Sequence, residues 1–62
     1  MSEAIYIKCN SKDELIFYLT YAEKQGIKYV SQNGTLAADI KNLGLTLAIN
    51  KKENIIYIEP ND

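Results

Sequence analysis

Few residues in this 62-residue chain could take part in catalysis. Cys9 is the only cysteine and histidine is absent, so the usual general base and the commonest metal ligand are missing. A reactive thiol needs a base or a positive environment to form a thiolate. Cys9 instead alternates with Ile5 and Ile7, which predicts that it points into a core with them. One thiol without histidine also cannot fill a zinc site.

The carboxylates and glycines show no catalytic or phosphate-binding pattern either. Asp13 and Glu14 stand at a predicted helix start, where capping and the helix dipole account for them. The glycines at positions 26, 34 and 44 are isolated, so no phosphate-binding loop is present. We therefore expect a protein that is not an enzyme and has no metal site and no cofactor.

The charge balance argues against a dedicated nucleic-acid binder. Seven basic residues, all lysine, stand against eight acids, and the formal net charge is -1. Without arginine, bidentate recognition of phosphate or guanine is not possible. The many Ile, Lys, Asn and Tyr residues are typical of an AT-rich coding sequence, such as that of a low-GC bacterium or of a phage or mobile element living in one.

The sequence predicts one compact domain over residues 1–62, near the lower size limit for independent folding. A disulfide is impossible within the chain, so self-association is one way left to stabilise so small a core. No stretch approaches the roughly 20 apolar residues of a membrane helix. The first four residues lack the basic start and apolar run of a signal peptide. We therefore expect a cytoplasmic protein.

The order of elements predicts an α+β fold. Residues 4–9 alternate as a strand, and a capping box at Ser11 and Glu14 begins a long helix that Gly26 ends. A second strand is predicted over residues 27–32, and residues 45–49 and 55–59 form a hairpin. This gives a sheet of about four strands, β-α-β-(short α or β)-β-β, with the long helix packed on one face.

The segment that follows Asn33-Gly34 allows two interpretations. Asn-Gly is a strong hairpin signal, which would make residues 35–40 a strand. Thr35 is also a suitable helix N-cap, and Leu36, Ile40 and Leu43 have helical spacing up to Gly44. The second pattern favours a short helix over residues 35–43.

The long helix carries more aromatic side chains than one core requires. Leu15, Leu19 and Ala22 fall on one side, which should pack on the sheet. Phe17 and Tyr21 fall nearly opposite, four residues apart, where polar groups are expected. Adjoining exposed aromatics are typical of a contact site. The alternative is that a loop or the short helix covers them.

The strands also place tyrosines away from the core. Tyr6 and Tyr57 belong to the face opposite the aliphatic side chains, and Tyr29 could join them. With Lys8 nearby, these residues would form an open aromatic face. Such a face could bind a partner, or it could simply hold tyrosine pairs that stabilise a solvated sheet.

Together these patterns predict a non-enzymatic protein-binding module. Its size and composition are typical of a small phage or mobile-element accessory protein, and such proteins often inhibit a host or defence protein by occlusion. One alternative is a homo-oligomeric structural or regulatory protein. Another is a weak binder of single-stranded nucleic acid that stacks bases on the tyrosines among the lysines.

Overall fold

The computed structural model describes residues 4–60. The elements in chain order are β1 (Ala4–Lys8), α1 (Lys12–Lys24), β2 (Lys28–Tyr29), α2 (Leu36–Leu43), β3 (Thr46–Asn50) and β4 (Ile55–Ile58). The predicted α+β class is confirmed. The helix expected to be long has 13 residues, and the segment after Asn33-Gly34 is the short helix α2 rather than a strand.

Helix α1 begins where the capping signal predicts. The Ser11 side chain accepts a hydrogen bond from the Glu14 amide at 3.1 Å. The Glu14 carboxylate was expected to reach back to the Ser11 amide. It accepts instead from the amide of Asn10, at 2.5 Å, one residue earlier. Two backbone donors at the helix start are thus satisfied by side chains, as a capping box requires, with the return bond displaced by one residue.

The C-terminus of α1 has a Schellman motif. Gly26 has a φ of +83°, a conformation that glycine adopts without a steric penalty. The amides of Gly26 and Ile27 donate to the carbonyls of Glu23 and Ala22, at 3.0 and 2.9 Å. This turn directs the chain into β2.

The four strands form one mixed sheet in the order β1-β3-β4-β2. β3 pairs antiparallel with both β1 and β4, whereas β2 pairs parallel with β4. The first and second strands of the chain are therefore the two edges of the sheet. β2 has two residues instead of the predicted six, because the chain leaves the sheet after Val30, whose amide bonds to the Ile56 carbonyl at 2.9 Å.

Both helices pack on the same face of the sheet. The buried apolar cluster consists of Cys9, Leu15, Ala22, Leu47, Ile56 and Ile58. Residues of α2 with helical spacing, Leu36, Ile40 and Leu43, pack against this cluster. The opposite face of the sheet, which holds Tyr6 and Tyr57, is covered by neither helix.

Candidate functional site

The outer side of α1 carries two large aromatic side chains. Phe17 and Tyr21 are 66% and 58% exposed, whereas Leu15 and Ala22 on the inner side are buried. This is the placement expected from the helical spacing. Phe17 packs edge-to-face on Tyr18, with ring centroids 5.7 Å apart. Because Tyr18 is itself half-buried against the core, the contact supports Phe17 from below.

A groove of about 450 Å³ lies beside this helix. Its walls are Ile16, Leu19, Thr20 and Glu23 of α1, Ile27, Lys28 and Tyr29 at β2, and Leu36 of α2. The Thr20 hydroxyl donates to the Ile16 carbonyl at 2.9 Å, so it is already satisfied. The groove is thus mainly apolar, with one acidic and one basic side chain. It suits an apolar side chain of a partner better than a reaction, which needs convergent polar groups.

The uncovered face of the sheet carries both Tyr6 and Tyr57, as predicted, but their strands are not hydrogen-bonded to each other. Each is paired with Ala48 of the strand between them. Tyr6 is 57% exposed and Tyr57 is half-buried, while Ala48 between them is fully buried. Lys8 lies two residues beyond Tyr6 on the same face. The row Tyr6-Ala48-Tyr57 forms a small open aromatic surface.

The structure places Tyr29 elsewhere than beside Tyr6 and Tyr57. It pairs with Ile56, a core residue, so its side chain lies on the face that the helices cover. The Tyr29 hydroxyl donates a hydrogen bond to the Asp39 carboxylate of α2. Burial, together with this bond and the negative charge of Asp39, raises the pKa of Tyr29. Tyr29 therefore serves the interior of the protein, although its ring also lines the groove.

Asp39 is a buried charged residue that the sequence reasoning missed. It has no solvent exposure. One carboxylate oxygen accepts from the Asn33 amide at 2.8 Å, from the Asn33 side chain at 3.0 Å and from the Gln32 amide at 3.2 Å. The other accepts from Tyr29. Asp39 thereby fastens the segment after β2 to helix α2.

These hydrogen bonds keep the Asp39 carboxyl ionised. Burial alone would raise its pKa, but the hydrogen bonds from Tyr29 and Asn33, together with the nearby Ser31 hydroxyl, outweigh burial and lower the pKa to about 2. One sequence signal could have revealed the site. Asp39 stands three residues after Leu36 and four before Leu43, so a charge interrupts the apolar side of α2. A charge at such a position requires partners.

Cys9 lies in the core as its spacing predicts, and only 6% of it is exposed. Burial raises the pKa of the thiol, and the negative charge of Glu14 raises it further. The thiolate, which is the nucleophilic form, is therefore disfavoured at neutral pH. Within residues 4–60, no group of three or more Cys, Asp and Glu side chains could hold a metal ion.

Comparison of the chain with known protein families, curated proteins and solved structures found no match. In the described part of the chain, no helix combines the length and the apolar character needed to cross a membrane.

Proposed function

We propose that this protein is a non-enzymatic protein-binding module that uses the outer side of α1. The observation that carries the proposal is the exposure of Phe17 and Tyr21, 66% and 58%, on a helix whose inner side already fills the core. Ile16 on the same helix is 38% exposed and borders the groove. A partner would thus meet two aromatic rings on the outer side of α1, with Ile16 at the margin toward the groove.

The energy available from this surface is sufficient for a specific contact. Burying a large apolar side chain contributes about 1.5–3 kcal/mol. Because Phe17 and Tyr21 are already partly covered, each would contribute less than that full amount. Aromatic side chains are typical energetic centres of protein interfaces. The formal charge of -1 gives no long-range attraction to a strongly charged target.

The target that we propose is a host or defence protein, inhibited by occlusion of its functional surface. The size of the chain and its AT-rich composition support an origin in a phage or mobile element. A small domain with no catalytic group acts by covering a surface and therefore works at a stoichiometric ratio. The amount of inhibitor needed should accordingly equal the amount of target.

The test compares three forms of the protein immobilised in parallel and exposed to lysate of a low-GC bacterial host. They are the wild type, the Phe17→Ser, Tyr21→Ser double variant, and Tyr6→Ser. Tyr6 is a matched control, because it is 57% exposed, almost as much as Tyr21, but lies on the uncovered sheet face. A protein captured by the wild type and Tyr6→Ser but lost with the double variant supports the proposal.

Two results would contradict it. Capture that the double variant retains would show that the outer side of α1 is not used. Unfolding of the double variant, seen by circular dichroism, would show that Phe17 and Tyr21 belong to the intrachain core.

A second candidate function is weak binding of single-stranded nucleic acid. The row Tyr6-Ala48-Tyr57 favours it, because exposed aromatic rings on a sheet can stack bases, and Lys8 and Lys28 lie on the same face. The charge balance and the lack of arginine favour protein binding instead. Titration of a labelled oligonucleotide at physiological salt decides, since micromolar binding with a steep salt dependence would support the nucleic-acid function.

A further inference from the structure

The two edge strands of the sheet differ in how much backbone they leave without a neighbouring strand. β1 is an edge strand of five residues, whereas β2 at the other edge has two. The Cys9 amide donates to the Leu45 carbonyl at 3.0 Å. In an antiparallel pair such bonds occur at every second residue, so Ile7 and Ile5 also direct their backbone groups toward β3. The amides and carbonyls of the other three residues, Ala4, Tyr6 and Lys8, therefore point outward from the sheet.

The side chains of β1 are also apolar and exposed on both faces. Ile5, on the face that carries the helices, is 45% exposed, and Tyr6, on the opposite face, is 57% exposed. Proteins usually protect an edge strand with charges, proline, a bulge or a very short length. Lys8 at the end of the strand is the only such feature in β1. This edge is a template for pairing with another strand.

The aromatic side of α1 lies toward this same edge. The groove residues Ile16, Thr20 and Glu23 line the flank of α1 that faces β2. At about 100° per residue, Tyr18 and Tyr21 fall on the other flank. That flank faces β1, because β1 and β2 are opposite edges of the sheet. The exposed aromatics and the open backbone edge thus belong to one side of the molecule.

We propose that the occupant of this side is a second copy of the chain, joined through antiparallel pairing of the two β1 strands. This goes beyond the proposed function, and where the dimer covers Phe17 and Tyr21 the second copy competes with the target for them. A two-fold axis at Tyr6 sets Tyr6 opposite Tyr6 and Ala4 opposite Lys8, which are the residues with outward backbone groups. Ile5 then lies opposite Ile7, and the two lysines are kept apart.

A dimer with two-fold symmetry uses both the open β1 edge and the aromatic side of α1. A two-fold axis perpendicular to the sheet places both α1 helices on the same face of a continuous eight-stranded sheet. Their Tyr21 flanks are then directed at each other, as an isologous interface requires. On the opposite face, the tyrosine rows of the two copies join at Tyr6. A foreign strand would gain the same hydrogen bonds, but it would not supply matching aromatics to α1.

The area is adequate for a dimer. Phe17, Tyr21 and Tyr6 are each about three-fifths exposed. An aromatic side chain presents about 150–250 Å², so the three offer roughly 350 Å² per chain. With Ile5 and the backbone edge, the dimer buries on the order of 1,000 Å² in total, an area typical of a weak dimer. A formal charge of -1 opposes the association of two copies only weakly.

The test is sedimentation equilibrium of the full-length chain from about 1 μM to about 1 mM, a range that covers weak dimers. The wild type should approach twice the 7.0 kDa of one chain. Tyr6→Pro removes an outward amide, which proline at an edge position allows without loss of a ladder bond. Ile5→Lys places a charge in the interface. Each should raise the dimer dissociation constant at least about tenfold.

Two matched variants serve as controls. Val30→Lys changes a residue that is 40% exposed, close to the 45% of Ile5, but lies beside the other edge. It should leave the dissociation constant within about threefold. Tyr6→Ser keeps the backbone amide, so it should weaken the dimer less than Tyr6→Pro does. Circular dichroism checks that all four variants remain folded.

Three outcomes would overturn the dimer. They are a single-chain mass at every concentration, equal weakening by Val30→Lys and Ile5→Lys, and equal weakening by Tyr6→Ser and Tyr6→Pro. Unfolding of Tyr6→Pro leaves the comparison of Ile5→Lys with Val30→Lys to decide. A monomeric wild type that still captures a target through Phe17 and Tyr21 would overturn the dimer alone and leave the proposed function standing.

Discussion

The two edges of the sheet in this small domain differ in how far other parts of the chain cover them. The strand β2 is short, and hydrogen bonds of polar side chains hold the segment that follows it. Asp39 holds the segment after β2 from within α2, and the Gln32 side chain donates to the Ile58 carbonyl at 2.7 Å. At β1 the strand is longer, its outer backbone groups point outward, and its neighbours are exposed apolar residues.

This contrast separates residues that stabilise the monomer from residues available for contact. A buried carboxylate with four hydrogen-bond donors specifies one arrangement of the chain around it. Exposed aromatics next to an open strand do not fix the chain around them, and they remain available to a partner. We therefore expect changes at the β2 side to alter folding, and changes at the β1 side to alter association.

The largest effect on folding should come from Asp39→Ala. The change leaves the half-buried Tyr29 hydroxyl and the Asn33 donors without their acceptor, and the loss of such a hydrogen-bond network is one of the few mechanisms of severe destabilisation. We expect the melting temperature to fall by more than about 10 °C. Thermal unfolding followed by circular dichroism measures it.

Asp13→Ala is the matched control for this variant. Asp13 is exposed in the first turn of α1, so its removal should lower the melting temperature by no more than about 5 °C. Equal losses in the two variants would show that the hydrogen bonds of Asp39 do not stabilise the β2 side.

Asp39 should also make the folding stability depend on pH, with a smaller effect than its substitution by alanine. The pKa of Asp39 is lowered from 3.8 to about 2 on folding. The unfolded chain therefore binds this proton more tightly than the folded chain does. The stability that Asp39 provides is present above about pH 4 and is lost as the pH falls through about 2.

Melting temperatures of the wild type and Asp39→Asn between pH 2 and pH 7 test this prediction. The difference between the two curves should shrink below pH 4, because the amide does not titrate. A constant difference would show that Asp39 has its ordinary pKa.

At the alkaline end, the raised pKa of Tyr29 provides stability that is lost only above about pH 10.

Local signals in the sequence predicted much of the fold. The caps of α1, the short helix that Thr35 begins and the exposure of Phe17 all depend on residues close together in the chain. The position of Tyr29 was not predictable in this way. It depends on which strand pairs with β2, and parallel pairing with β4 joins segments about 27 residues apart.

Asp39 was missed for a related reason. Its partners lie six to ten residues away, at the end of β2 and in the irregular segment that follows it, and sequence patterns do not describe such contacts. The same network shortens β2, because residues 31–33 turn toward the carboxylate instead of extending the strand. The open edge of β1 likewise became visible only with the strand order.

The smallest effect should come from Ser31→Ala, which probes the border of the Asp39 network. The buried Ser31 hydroxyl lies close enough to the Asp39 carboxylate to lower its pKa, but its oxygen has no partner in hydrogen-bond geometry. A buried polar group without a partner contributes its desolvation penalty and little else. Removing it should therefore change the free energy of unfolding by less than about 0.5 kcal/mol, or raise it slightly. Chemical denaturation of both proteins measures the difference. A loss of about 1 kcal/mol or more would show that Ser31 donates to Asp39 in solution, and that the carboxylate has one more partner than its geometry here indicates.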